Sequence, residues 1–335
     1  MIDELQGKKL KGFGNLIFSL LISLFLMSIH PSLSGAAEKN YPDRPIKMII
    51  PGGAGGSSDL ASRMLADRMA EFLGQPLISE YKPGASGSLG AAFVAKAKPD
   101  GYTVVVGGPY NLVAMPIVRK LTYKPDDFTH AGIFGKVPFW LPVKADSRWK
   151  TLKEFIEEGK KSPGKLTVAS YGRLSTAHFL IELLNKHAGV ALKHIPYASI
   201  SEAFTALLGG HVDAAMVAGT GGLLESGSVR ILAVAEGQRL EDLPDIPTFM
   251  EFGYPIVFRG WYSLSFPKGT PEEIVEKFSK AIEKVFMRYP KEIKADLRKV
   301  EVWAEYINSE NSVKLIQRDY DLFFKIAEEL GAVAK

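Results

Sequence analysis

"IKMIIPGGAGGSSDLASRMLADRMAEFLG", residues 46–74, passes from a short apolar run through four glycines into a helical pattern. Leu60, Met64 and Phe72 share a face with Ala61, Leu65 and Met69, while Asp67, Arg68 and Glu71 point elsewhere, so the spacing predicts an amphipathic helix. Ser57 or Ser58 is expected to cap its start and Gly74 to end it. "PLISEY" (76–81) and "YTVVVGG" (102–108) read as the next strands. Strand, helix, strand in that order implies parallel pairing through right-handed crossovers.

The same grammar returns after about residue 142. "KLTVASY" (165–171) is a strand, "GRLST" a loop, and "AHFLIELLNKHAG" (177–189) an amphipathic helix stopped by glycine. "LKHIPY" and "SISEAFTALLGG" repeat it, with Ser199 and Glu202 at capping-box spacing. "HVDAAMVAG" (211–219) and "VRILAVAE" (229–236) are later strands, and the stretch from "TPEEIVEKFSKAIEKVF" onward is helical. Two α/β units are therefore expected.

At the amino terminus, Lys8, Lys9 and Lys11 precede a 14-residue apolar run from Leu16 to Ile29, and "SGAA" offers small residues near Ala37. This reads as a secretory signal peptide over residues 1–37, cleaved near Ala37, with a retained anchor as the alternative. A spanning helix needs roughly 20 apolar residues, and this run is shorter. The net charge is +4 without basic runs, which gives no nucleic-acid footprint. Cysteine is absent, and none of the six histidines pairs at H-x-x-x-H spacing, so neither disulfide nor metal is expected. These features together predict an exported, periplasmic protein without a cofactor.

Glycines between a strand and a helix let backbone N–H groups face an anion at the positive end of the helix dipole. A P-loop would need G-K-[ST], and no lysine stands there. A dinucleotide fingerprint would set its third glycine at Ser58, although Glu80 sits where a ribose-binding acid belongs. Donors without lysine suit a small anion, and carboxylate is the simplest choice. Ser175, His178 and Asp213 form no hydrolase signature, since no G-x-S-x-G surrounds the serine. No enzymatic activity is expected.

"YPDRPIKMIIPGGAGGSSDLASRMLADRM" (41–69), "GQPLISEYKPGASGSLGAAFVAKAKPDGYTV" (74–104) and "YKPDDFTHAGI" (123–133) resemble the Bug family of periplasmic solute-binding proteins, which serve tripartite tricarboxylate transporters. The similarity continues through "IPYASISEAFTALLGGHVDAAM", "DLPDIPTFMEFGYP" and "WYSLSFPKGTPEEIV". The resemblance implies an α/β, two-lobed type II periplasmic-binding-protein fold with a ligand cleft between the lobes. It places hinge crossings near 137–143 and 260–266, giving lobe 1 as 38–141 and 263–335 and lobe 2 as 142–262.

By the same resemblance a ligand carboxylate lies between two helix-starting loops. The first carries Gly55, Gly56, Ser57, Ser58 and Asp59, with Ser86 and Ser88 from the "PGASGSLG" turn. The facing loop carries Gly172, Arg173, Ser175, Thr176 and His178, and Tyr110, Asn111, Tyr197 and Ala198 line the rest. Arg173 is a candidate fork for a second acid group. The sequence departs from the family pattern at Gly52, where an aromatic is usual, and at Leu174 and Ser199, where glycines are usual. The implied role is that of a monomer that captures a small organic acid and hands it to the integral membrane subunits of a tripartite transporter. Reporting the ligand to a signalling partner is the alternative.

Overall fold

The protein is described here by a computed structural model covering residues 41–334; the expected signal peptide lies outside the described residues. The opening stretch folds as read. β1 (Ile46–Ile50) pairs in parallel with β2 (Leu77–Tyr81) and with β3 (Thr103–Gly107). α1 (Ser57–Leu73) follows the glycine loop and buries Ala61, Leu65, Ala66, Met69 and Leu73, with Leu60, Met64 and Phe72 on the half-buried rim of that face. Gly74 ends it in the left-handed conformation, its N–H donating to the Ala70 carbonyl.

The start of α1 differs from expectation. Gly56 is the N-cap, no side chain caps it, and Ser57 and Ser58 lie one step inside the helix. Asp59 closes the loop instead: buried at 0 % exposure, its Oδ2 accepts the Gly55 N–H at 2.8 Å and its Oδ1 accepts the Tyr81 hydroxyl at 3.1 Å. Gly55 adopts φ +82, which a side chain would strain.

α2 (Ser88–Ala95) lies between β2 and β3; beyond β3 come a single π turn (Tyr110–Ala114), α3 (Met115–Val118) and then the 17-residue strand β4 (Phe128–Lys144). The second unit comprises α4 (Leu152–Lys161), β5 (Thr167–Ser170), α5 (Thr176–Ala188), β6 (Lys193–Pro196), α6 (Ile200–Leu208) and β7 (Ala214–Ala215); β5 pairs in parallel with both β6 and β7. The capping bond expected at α6 is present: Ser199 Oγ accepts the Glu202 N–H, and the Glu202 carboxylate reaches back to the Ala198 N–H. Asp213 organises its own strand start, Oδ2 accepting both the N–H and the hydroxyl of Thr167.

The strand expected over 211–219 is divided. After β7, the Met216 N–H still donates to Ala169, but β8 (Val217–Ala218) turns to pair with β4. β9 (Val229–Val234) and β10 (Arg259–Pro267) also pair antiparallel with β4, as does β11 (Trp303–Asn308). β4 is thus shared: its first part carries β10 and β11, and its last part carries β8 and β9. Parallel pairing alone therefore holds for β1 with β2 and for β5–β7, since β3 also pairs antiparallel with β10, and β4 is apolar and buried along nearly its whole length.

α7 (Glu272–Arg288) packs with α1 over the larger sheet, and α8 (Pro290–Arg298) follows it. α9 (Ser309–Glu329) packs along β4 and also meets α5, where the Phe323 and Phe179 rings lie 5.3 Å apart. Among the described residues no helix is long and apolar enough to cross a membrane.

Candidate functional site

The loops that leave β1, β2 and β3 and those that leave β5 and β6 open at the carboxyl ends of parallel strands, where α/β sheets offer binding crevices. They converge on one cleft of about 520 Å³. One wall is built from the glycine loop at Gly52, Gly53 and Ser58, from the turn at Gly84, Ser86 and Gly87, and from Gly108 to Asn111. The facing wall is Tyr171 and Thr176 before α5, with Ala198, Ser199 and Ile200 at the start of α6. Val137 and Phe139 of β4, Ala218, and Gly260 to Tyr262 of β10 form the floor.

No Lys, Arg, His, Asp or Glu is among the described residues that line this cleft. One buried polar atom in the lining, Asn111 Nδ2, has no partner, in a residue 7 % exposed, whereas the Thr176 hydroxyl and the Ala177 N–H lie beside the Tyr171 hydroxyl. The orientation of Asn111 is set by its other amide atom, because Oδ1 accepts the Gly108 N–H at 2.8 Å. The facing wall adds the starts of α5 and α6, each at the positive end of a helix dipole.

Of the residues singled out in the sequence, Ser58, Ser86, Tyr110, Asn111, Thr176 and Ala198 come together in the lining. The others are not in the lining. Gly55, Gly56 and Asp59 shape the loop from within, and Ser57 Oγ bonds the Tyr262 hydroxyl at 2.8 Å. Ser88 turns back to the Ala85 carbonyl at 2.8 Å. Ser175 is the N-cap of α5 and accepts the His178 N–H. Gly172 lies in the turn beside Ser170, Arg173 is exposed, and Tyr197 holds the β5 end through its N–H to Ser170.

His178 acts on the loop. Its Nδ1 accepts the Leu174 N–H at 3.0 Å, which leaves the proton on Nε2, 3.4 Å from Glu182; that bond holds the Glu182 carboxyl below its usual range. The imidazole stacks on His194 at 3.9 Å, and burial first, then His178, pushes His194 down to about 4. The Ser175 hydroxyl meets the His178 main-chain N–H, the His178 ring meets Leu174 and Glu182, and Asp213 meets Thr167, so the three side chains form no relay.

The three departures from the family pattern now have physical meaning. Leu174 takes φ +60, a left-handed angle suited to glycine, and its N–H is anchored by His178. Ser199 is extended and caps α6. A side chain at Gly52 would meet only Ser58 Oγ, at 3.5 Å, so the glycine leaves that part of the cleft open.

Cleft residues that the sequence reading left out are Tyr171, Tyr262, Val137, Phe139, Ala218 and the glycines at 52 and 53. Tyr171 and Tyr262 stand inside stretches already singled out, but nothing local distinguishes a lining tyrosine from a packed one. Trp261 is packed as well as lining: it is 1 % exposed and its Nε1 donates to Asp319 at 2.9 Å.

A family model described as "Tripartite tricarboxylate transporter family receptor" matches residues 61–332. A "UPF0065 protein in gbd 5'region" of Cupriavidus necator is 37 % identical over 88 % of this chain and 90 % of its own length. Among solved structures, an R. palustris protein with adipate superposes with a TM-score of 0.76 at 26 % identity, over 88 % of this chain and 99 % of that one. MatC from Rhodopseudomonas palustris with bound malate gives a TM-score of 0.72 at 29 % identity, over 85 % and 99 %. The fold is thus the two-lobed one of these periplasmic solute-binding proteins, a fold of binding proteins rather than enzymes.

Proposed function

Since this chain belongs to the tripartite tricarboxylate transporter receptor family, we propose that it is an extracytoplasmic solute-binding protein that captures one small organic acid in the cleft and delivers it to the membrane subunits of such a transporter. The observation that carries the reading is a cleft lined by no charged side chain, with the starts of α5 and α6 in one wall and the unpartnered Asn111 Nδ2 in the other. A buried donor without a partner costs roughly 1–3 kcal/mol, and an acceptor on the ligand removes that cost. Helix starts and neutral donors suit a carboxylate better than a phosphate ester, which calls for lysine or arginine. The adipate and malate complexes of the relatives agree with that class.

In this reading residues 38–141 with 263–335, and residues 142–262, are the two lobes, and the ligand draws them together. The protein acts in the periplasm as a monomer after loss of residues 1–37. A ligand held at about 100 times its dissociation constant stabilises the native state by roughly 2.7 kcal/mol. A thermal-shift screen against mono- and dicarboxylates, with NAD and nucleotides as controls, tests the proposal. Stabilisation by an acid is expected; a shift with NAD or a nucleotide and with no acid overturns it.

A further inference from the structure

We infer that the acid this cleft selects carries a planar ring: an aryl carboxylate rather than an open-chain acid. The inference rests on the solute-binding reading above and narrows it to a substrate class. Besides the polar donors, the lining presents Tyr110, Tyr171 and Tyr262, each half-buried and so with ring surface left to cover. Tyr110 and Tyr171 come from opposite walls and stand edge to face, 6.0 Å between centroids at 82°. Two perpendicular rings form a corner into which a third flat ring packs against one face and one edge at once, the arrangement aromatic quadrupoles favour. A flexible aliphatic chain fills such a corner less well and loses rotational freedom in doing so.

Asn111 is the neighbour of Tyr110 in the chain, and Thr176 opens α5 five residues after Tyr171, so each wall offers an aromatic surface and a neutral polar side chain together. Gly52 and Gly53 leave the opposite rim without side chains, and no atom lies within 4 Å of a Cβ built at Gly53. Room for a rigid body is thus present beside the donors.

Calorimetry on the purified protein with benzoate, cyclohexanecarboxylate, hexanoate and adipate at one pH tests this. Benzoate is expected to bind roughly three- to ten-fold more tightly than cyclohexanecarboxylate, the range that aromatic pairing supplies, and more tightly still than the open-chain acids. Tyr171→Leu should reduce benzoate affinity by a similar factor and hexanoate affinity by less; Tyr171→Phe should retain benzoate binding. Hexanoate or adipate binding as tightly as benzoate overturns the ring preference while leaving the carboxylate reading intact. Binding by none of the acids overturns both.

Discussion

Asn111 and Gly108 fix each other: the amide Oδ1 holds the Gly108 N–H at 2.8 Å, and the buried Nδ2 of this cleft-lining residue is left with nothing to bond. Asn111→Asp preserves the Gly108 contact and replaces the free donor with an oxygen that repels a carboxylate. Acid binding measured by calorimetry should fall by about ten-fold or more, the scale of a lost hydrogen bond to a charged group. Unchanged affinity would place the ligand away from Asn111.

The glycine loop is a backbone device braced by Asp59. Gly55 stands at φ +82 and gives its N–H to Asp59, whereas Ser57 bonds Tyr262 at the edge of the site. Gly55→Val should therefore weaken acid binding more than Ser57→Ala, whose cost is about 1 kcal/mol. Calorimetry on both folded variants checks the ranking, and the reverse order would mean that the loop's backbone is not what the anion meets.

Behind the floor of the cleft, the Glu301 carboxylate accepts the Thr220 hydroxyl and the N–H groups of Thr220, Gly221 and Gly222. Burial opposes its ionisation, but these bonds outweigh burial and hold the carboxyl below its usual range. Glu301 also takes φ +56, where glycine would be unstrained. Glu301→Ala should destabilise by roughly 2–4 kcal/mol in denaturant melts, with Glu301→Gly less harmful because it relieves the backbone. Equal losses would show that the angle costs nothing here.

Acid should loosen the fold through its buried histidines. His130, 6 % exposed with Nδ1 2.8 Å from Ser265 Oγ, is pushed down to about 4 by burial, against an ordinary value of about 6.5. Between those values the unfolded chain binds the extra proton, so stability rises with pH and is lost as pH falls from 6.5 towards 4. His130 alone contributes on the order of 3 kcal/mol to that loss. Melting temperatures from pH 8 to pH 4 should show the decline, and His130→Asn should flatten it; an unchanged slope would assign the acid sensitivity elsewhere.

Local pattern was enough for much of this protein. The run of apolar residues, the glycines and the helix face of residues 46–74 determine β1, the loop and α1, because strand alternation, helix periodicity and the left-handed Gly74 stop are satisfied within a few residues. The same holds for β5, α5 and the Ser199 cap of α6. Resemblance added the two-lobed fold and the neighbourhood of the site. Only the tertiary structure decided which side chains face the cleft. Asp59, a ligand candidate by the resemblance, turns inward to Gly55 and Tyr81, and Tyr262 reaches the glycine loop from 205 residues away. β4 collects partners from four later strands, and the 211–219 run changes partner strand at Met216. Those outcomes depend on which distant strand edge satisfies each backbone N–H, and on which polar groups find a partner once buried, neither of which short-range periodicity encodes.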